Sequence, residues 1–198
     1  NDSANVWRDP SFNSYSRRAK GHTCSYAFNH HYLNEMEEQA MEISTWGKNV
    51  NVKIPITNTK SVSTCEIIRR LSTKGIICNI TAIFTPDQLK RVVDVLHKDT
   101  PAILSVFAGR IADSGEDPQK IIIDSVNFAK DKPHSEVLWA STREVLNIFQ
   151  AEKTGCKIIT VPNNILSKLK FIGKNLEAFS LETVKDFYND AQAAGYDL

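Results

Sequence analysis

The chain has 198 residues, of which 41% are hydrophobic and 24% are charged. This ordinary globular composition excludes a wholly disordered, collagenous or coiled-coil protein. The 24 lysines and arginines nearly balance the 23 acidic residues, so the net charge of +1 gives no global basic field for nucleic acid or an acidic membrane. The longest apolar runs, such as Pro101–Ala108, are far shorter than the roughly 20 residues of a membrane-spanning helix.

Features of the N-terminus and the cysteines predict a cytoplasmic location. The polar segment Asn1–Arg18 lacks the apolar core of a secretory signal. The four cysteines are spread singly, without a CxxC pair, which indicates free thiols in a reducing compartment. They are Cys24, Cys65, Cys78 and Cys156.

Taken in chain order, an unassigned N-terminal segment, residues 1–23, precedes a regular alternation of strand-like and helix-like segments. The apolar runs of strand length are Cys24–Phe28, Val50–Ile54, Ile76–Ile80, Ala102–Phe107, Glu136–Ala140 and Lys157–Val161. The helix-like segments are Asn34–Trp46, Thr59–Lys74, a stretch capped by Thr85, another opened by Pro118, Arg143–Lys153 and Ser180–Ala194.

Local signals support these helices. Gly75 suits the position that follows a helix, and Thr85 with Pro86 is typical of a helix start. Residues 180–194 are expected to form a closing amphipathic helix with Ser180 as its N-cap. Its predicted apolar stripe is Leu181, Val184 and Phe187.

Strands that alternate with helices predict βαβ units and a parallel sheet in a single domain, residues 1–198. An open dinucleotide-binding sheet would carry a GxGxxG motif after a strand, and none is present. Polar residues instead stand at alternate positions near the ends of several strands, as they do at the mouth of a (β/α)8 barrel. We therefore predict an α/β fold of this barrel type.

Lys53 is unusual because it lies in a strand that is otherwise fit for burial. Burial of a lysine favours the neutral amine, which can form a Schiff base with a carbonyl. The alternative is a strand-end lysine whose ammonium group reaches water.

Polar groups at the ends of the following strands favour a reactive site. Asn79 and Thr81 alternate around Ile80, so they share one face of their strand. Ser105 and Phe107 likewise share a face of the next strand.

Two arginines follow neighbouring strands. Arg110 and Arg143, with Ser141 nearby, are placed to hold one phosphate through charge-assisted hydrogen bonds. The alternative is surface ion pairing, of Arg110 with Asp113 and of Arg143 with Glu144.

These strands resemble the signature strands of the transaldolase family, from about residue 33 to the C-terminus. The motifs that carry the resemblance are Asn49–Pro55, Gly75–Phe84, Ser105–Ile111 and Leu138–Arg143. The resemblance implies a class I aldolase barrel, without metal or cofactor, that transfers a dihydroxyacetone unit between sugar phosphates. It implies conversion of sedoheptulose 7-phosphate and glyceraldehyde 3-phosphate into erythrose 4-phosphate and fructose 6-phosphate, a step of the pentose phosphate pathway.

The same resemblance implies a role for each candidate residue. Lys53 would form the Schiff base, and Asn79 and Thr81 would orient the adduct and a catalytic water. Phe107 favours the transferase over fructose-6-phosphate aldolases, which usually carry tyrosine there. Ser105 and Phe107 would line the pocket, and the phosphate site would consist of Arg110, Ser141 and Arg143.

Two departures from the family pattern accompany this likeness. No counterparts of its first two strands, one with an aspartate and one with Asn-Pro, stand out in residues 1–23. Ala27 occupies the position of the third strand's glutamate acid/base. We therefore expect a barrel without its first two strands, low transaldolase activity, and open sheet edges that favour low stability or a homo-oligomer.

Other functions are open to such a chain. One is a catalytically impaired domain that binds phosphosugars, and another is an aldolase-like lyase or a cofactor-free phosphosugar isomerase. The spacing of His22, Cys24, His30 and His31 fits no zinc pattern, so no metal site is predicted.

Overall fold

A computed structural model describes the backbone of residues 23–26 and the whole of residues 32–195. The strands are β1 (Thr23–Tyr26), β2 (Val50–Pro55), β3 (Cys78–Ile83), β4 (Ala102–Val106), β5 (Ser135–Trp139) and β6 (Ile158–Ile159). The helices are α1 (Leu33–Ser44), α2 (Cys65–Thr73), α3 (Pro86–Val95), α4 (Ala108–Asp113), α5 (Pro118–Ala129), α6 (Leu146–Lys153), α7 (Asn163–Leu166) and α8 (Leu176–Ala193), with a 3-10 turn at Leu169–Phe171.

The six strands form one sheet in sequence order, and each pairs in parallel with the next. Parallel neighbours require a crossover, which here runs through a helix between successive strands. This arrangement is a partial (β/α)8 barrel and confirms the predicted fold class.

The two faces of the sheet differ sharply in polarity. The face toward the helices is apolar and packs in the main core with side chains such as Met36, Ile68 and Leu89. The opposite face carries polar side chains that are also withdrawn from solvent, among them Asn51, Asn79 and Ser105. The helix-facing strand residues, each at most 3% exposed, are Val52, Ile54, Cys78, Ile80, Ala102, Leu104, Val106, Val137 and Trp139.

Helix starts follow the sequence signals in the middle of the chain. Thr85 caps α3 and forms a capping box with Gln88, as the threonine–proline pair predicts. Asp117 caps α5 by accepting a hydrogen bond from the Gln119 backbone N–H. Gly75 follows α2 with a φ of 77°, a conformation that glycine adopts without strain.

The predicted helix Thr59–Lys74 begins six residues later than expected, at Cys65. The preceding residues form a loop because the Asn58 side chain accepts backbone N–H bonds from Lys60 and Val62, an alternative to helical hydrogen bonding. Val62, an apolar residue within the predicted helix, is 47% exposed in this loop.

The prediction for the last helix is wrong in its start and its packing. Helix α8 begins at Leu176, capped by the Asn175 side chain, and it buries no residue against the described part of the chain. The expected stripe of Leu181, Val184 and Phe187 is at least 55% exposed. Helix α8 is long, but no helix among the described residues is apolar enough over its length to cross a membrane.

The described cysteines carry free thiols, as predicted for Cys65, Cys78 and Cys156. Burial raises the pKa of Cys78 to about 12 and that of Cys156 to about 11. Both therefore act as small apolar core residues rather than as nucleophiles.

Candidate functional site

Lys53 lies on the polar inner face of the sheet, half-buried near the carboxyl end of β2. The register pairs it with Asn79 on β3, and neighbouring strands lie about 4.8 Å apart. Its own strand neighbours, Val52 and Ile54, point into the apolar core on the other face. The alternation that buries these two residues therefore directs the lysine toward the inner face.

Asn79 and Ser105 form a hydrogen-bonded pair beside this lysine. The Ser105 hydroxyl donates to Asn79 Oδ1 at 2.6 Å, and both residues are at most 4% exposed. Because the serine occupies the carbonyl oxygen of the amide, the amide nitrogen is turned away from Ser105. The hydrogen bond thus fixes the orientation of Asn79 within the polar inner face.

Strand β3 changes register immediately after Thr81. Ile80 pairs with Leu104 and Ile83 with Val106, so β3 contains one extra residue, and Ala82 adopts a φ of 58°. Such bulges redirect side chains at strand ends and are common next to functional sites. Here the bulge follows directly on Thr81, which is 4% exposed. Nothing in the sequence signals a left-handed alanine at this point.

Aromatic and cationic side chains stand beyond the end of β4. The rings of Phe84 and Phe107 lie 5.8 Å apart and are tilted by 40°. The Arg110 guanidinium carbon lies 5.9 Å from the centroid of the Phe107 ring. Phe107 is half-buried and Arg110 is exposed, so the arginine borders the open side of this end.

Helix α4, which follows β4, is in direct contact with the loop that follows β5. The Gly109 N–H donates to the Ala140 carbonyl at 3.2 Å. A Cβ atom on Gly109 would lie 1.5 Å from the Ser141 carbonyl oxygen, so only glycine permits this approach. Ser141 itself has a φ of 64°, a strained conformation of the kind found at functional sites. The contact brings the Arg110 and Arg143 segments together.

Arg143 pairs with Asp113 at the end of α4. Its Nε donates to Asp113 Oδ1 at 3.0 Å and its Nη2 to Oδ2 at 2.5 Å, while the two side chains are about half exposed. This hydrogen bonding lowers the pKa of the Asp113 carboxyl, and the charge of Arg110 adds to the effect. The alternative pairing considered from the sequence, Arg143 with Glu144, is not the one formed.

Two further side chains hold the segment that carries Arg143. The Thr142 hydroxyl donates to the Thr160 carbonyl at 2.6 Å and ties the segment to the strand end of β6. Asn147 Oδ1 accepts the backbone N–H groups of Arg143 and Glu144 at 2.9 and 3.2 Å. The sequence signal that could have indicated this role of Asn147 is its position four residues after Arg143.

The predicted site residues thus fall into two neighbouring groups at one end of the sheet. Lys53, Asn79, Thr81 and Ser105 occupy the inner face, and the aromatic and arginine group borders it. The second group consists of Phe107, Arg110, Ser141 and Arg143.

Some residues considered from the sequence cannot be placed. Ala27, His22, His30 and His31 lie outside the described residues, and of Cys24 only the backbone is described. Among residues 32–195, no three histidine, cysteine, aspartate or glutamate side chains cluster as metal ligands do.

Fold and site together define a β/α-barrel protein whose polar residues collect at the carboxyl ends of the strands, where such barrels place their active sites. The sequence profile of the transaldolase/fructose-6-phosphate aldolase family matches residues 27–198. The chain belongs to this family.

Two relatives named probable transaldolases support the assignment to this family. The chain is 38% identical over 136 residues to a probable transaldolase of Dehalococcoides mccartyi and 32% identical over 136 residues to one of Nitrosopumilus maritimus. Each match covers 68% of this chain but only 59% and 58% of the respective relative. The chain therefore spans just under three-fifths of the length of these proteins.

Proposed function

We propose that the chain forms a Schiff base between Lys53 and a ketose phosphate and acts as a transaldolase-type transferase. The observation that carries the proposal is the in-register placement of Lys53 beside Asn79, which Ser105 holds at 2.6 Å. Family membership and relatives named probable transaldolases support it.

The chemistry begins at the Lys53 amine, which adds to the ketose carbonyl carbon and expels water to give an imine. Once protonated, the imine draws the electrons of the bond between the third and fourth ketose carbons as that bond breaks, while a base takes the proton of the hydroxyl group on the fourth carbon. An aldose phosphate leaves, and a dihydroxyacetone enamine stays on the lysine. The enamine carbon then attacks the aldehyde of a second sugar phosphate, and hydrolysis restores the amine.

Polar residues on the inner face have defined tasks in this scheme. Asn79, with its amide held by Ser105, hydrogen-bonds a hydroxyl of the bound ketose. Thr81 holds the water that enters and leaves as the imine forms and hydrolyses. Each proton transfer also needs a positioned acid or base, whose loss typically lowers rates by about 10²–10⁴-fold. Ala27, at the family's glutamate position, therefore predicts slow turnover.

Arg110, Ser141 and Arg143 form the phosphate end of the site. Arg110 lies on α4 and Arg143 on the loop after β5, and the two segments are in contact where Gly109 meets Ala140 and Ser141. A guanidinium group binds phosphate through paired, charge-assisted hydrogen bonds. Phe107, whose ring centroid lies 5.9 Å from the Arg110 guanidinium carbon, favours by the family resemblance the transferase over a fructose-6-phosphate aldolase.

A coupled assay with fructose 6-phosphate and erythrose 4-phosphate tests the proposal. We expect measurable turnover that Lys53→Met abolishes and that Ala27→Glu increases. Lys48→Met, at an exposed lysine before β2, is the control and should leave turnover unchanged. Phosphosugar binding without turnover in all variants would instead indicate a binding domain, and isomerised products with no trappable imine would indicate an isomerase.

The phosphate assignment has a separate test in Arg143→Ala. Hydrogen bonds to charged groups contribute about 1.5–3 kcal/mol, so the variant should bind fructose 6-phosphate more than tenfold more weakly. Dihydroxyacetone, which lacks a phosphate, should bind equally well to both forms. Equal weakening for the two ligands, measured by calorimetry, would contradict the assignment.

A further inference from the structure

Asp113 grips one edge of the Arg143 guanidinium. Its two oxygens accept hydrogen bonds from Nε and Nη2 at 3.0 and 2.5 Å, so the pair is side-on and bidentate. A guanidinium group has a second bidentate edge, formed by Nη1 and the other hydrogen of Nη2. The side-on grip leaves that end-on edge available to a ligand.

The position of the carboxylate links the pair to the rest of the site. Asp113 ends α4, three residues after Arg110, and so belongs to the helix that contacts Ser141 through Gly109. The Asp113 carboxylate therefore connects α4 to the segment that carries Arg143. A long arginine side chain that is 47% exposed would otherwise sample many rotamers.

The negative charge of Asp113 opposes the binding of a phosphate. A carboxylate beside a phosphate site repels the incoming anion, so Asp113 weakens binding unless its orientation of Arg143 outweighs the repulsion. The hydrogen bonds from Arg143, and then the positive charges of Arg143 and Arg110, lower the pKa of the Asp113 carboxyl, and these positive charges also offset its negative charge. Orientation and repulsion predict opposite results when the carboxylate is removed.

We propose that Asp113 is a positioning residue that presents the end-on edge of Arg143 to the phosphate of a sugar phosphate. The inference rests on the proposed function, because it takes Arg143 as a phosphate ligand. It adds the residue that makes this arginine selective for phosphorylated over unphosphorylated substrates. Asp113 acts through Arg143 and touches no reacting atom.

The test is a double-mutant cycle on the 198-residue chain, with fructose 6-phosphate binding measured by calorimetry. Asp113→Ala should weaken binding about tenfold, within the range of couplings between residues in contact. Asp113→Asn keeps one acceptor oxygen and should lose less. In an Arg143→Ala background the loss caused by Asp113→Ala should disappear. Binding of dihydroxyacetone and the thermal midpoint should change little in the single variants.

Asp94→Ala provides the matched control, because Asp94 pairs with Lys90 at 3.1 Å on the exposed side of α3. It should leave fructose 6-phosphate binding unchanged. Tighter binding by Asp113→Ala would overturn the inference, because it would show that repulsion of the phosphate outweighs the orientation of Arg143. Unchanged binding would also overturn it and would show that Asp113 and Arg143 form only a surface ion pair. A loss that persists without Arg143 would also overturn it. If the unmodified chain does not bind fructose 6-phosphate, the proposed function and the inference fall together.

Discussion

Replacing Gly109 with alanine should separate helix α4, which carries Arg110, from the loop that carries Arg143. The added Cβ would lie 1.5 Å from the Ser141 carbonyl oxygen and 2.7 Å from its carbonyl carbon. Since Cβ contacts below 3.0 Å essentially do not occur, the two backbones would have to move apart by about 1.5 Å. Neither backbone can rotate away as a flexible side chain would. The hydrogen bond from Gly109 to the Ala140 carbonyl would be lost with the movement.

The expected cost follows from these contacts. Overpacking costs about 1–3 kcal/mol, and a backbone clash belongs at the upper end of that range. Alanine offsets about 1 kcal/mol through its higher helix propensity. A net loss of about 2 kcal/mol corresponds to about 4–8 °C in the thermal midpoint of a chain of this size. Fructose 6-phosphate binding should weaken as well, because Arg110 and Arg143 would be displaced from each other.

Thermal unfolding followed by circular dichroism, together with calorimetric binding, measures both effects. Gly115→Ala is the control, because a Cβ there meets no atom within 4 Å although the φ is +87°. It should cost about 1–2 kcal/mol through left-handed strain alone and leave phosphosugar binding intact. Unchanged stability and binding in Gly109→Ala would show that the close approach of α4 to the loop after β5 does not hold the two arginines together.

Two further predictions concern buried groups. Ser105→Ala removes the hydroxyl that donates to buried Asn79 Oδ1, so the free energy of unfolding should fall by about 0.5–1.5 kcal/mol and the yield of ketose adduct should drop. Denaturant titration and borohydride trapping check this, and a neutral variant would contradict it. Between pH 9 and 12 the unfolded chain releases the Cys78 proton while the folded chain keeps it, so the free energy of unfolding should decline with rising pH. Denaturant titrations should show a shallower decline for Cys78→Ala. An equal decline in both proteins would contradict the raised pKa of Cys78.

Much of the barrel could be predicted because its signals are local and repeated. Strands such as Ala102–Val106 read as largely apolar runs, and Thr85 with Pro86 marks the start of α3. Lys53 is conspicuous because a lysine is unusual in a strand whose Val52 and Ile54 are fully buried. The apolar pattern predicts too early a start for α2. The Asn58 side chain accepts hydrogen bonds from the Lys60 and Val62 backbone N–H groups, which therefore do not join the helix.

The features that could not be predicted depend on contacts between residues far apart in the chain. Nothing local shows that Asp113 pairs with a residue 30 positions away, or that Gly109 touches Ser141. Helix α8 has the amphipathic pattern of a packed helix, yet its apolar residues are exposed. Periodicity identifies an apolar face but not the surface against which that face packs. The left-handed Ala82 depends on the pairing of β3 with β4, which sequence periodicity does not report.

Covalent chemistry at Lys53 can be tested by mapping the reduced adduct. The chain is incubated with fructose 6-phosphate, treated with borohydride to reduce any imine, digested and analysed by mass spectrometry. We expect a single dihydroxyacetone-derived modification at Lys53, absent from Lys53→Met. Labelling at exposed Lys74 or Lys90 instead, or no labelling while the sugar phosphate binds, would contradict it.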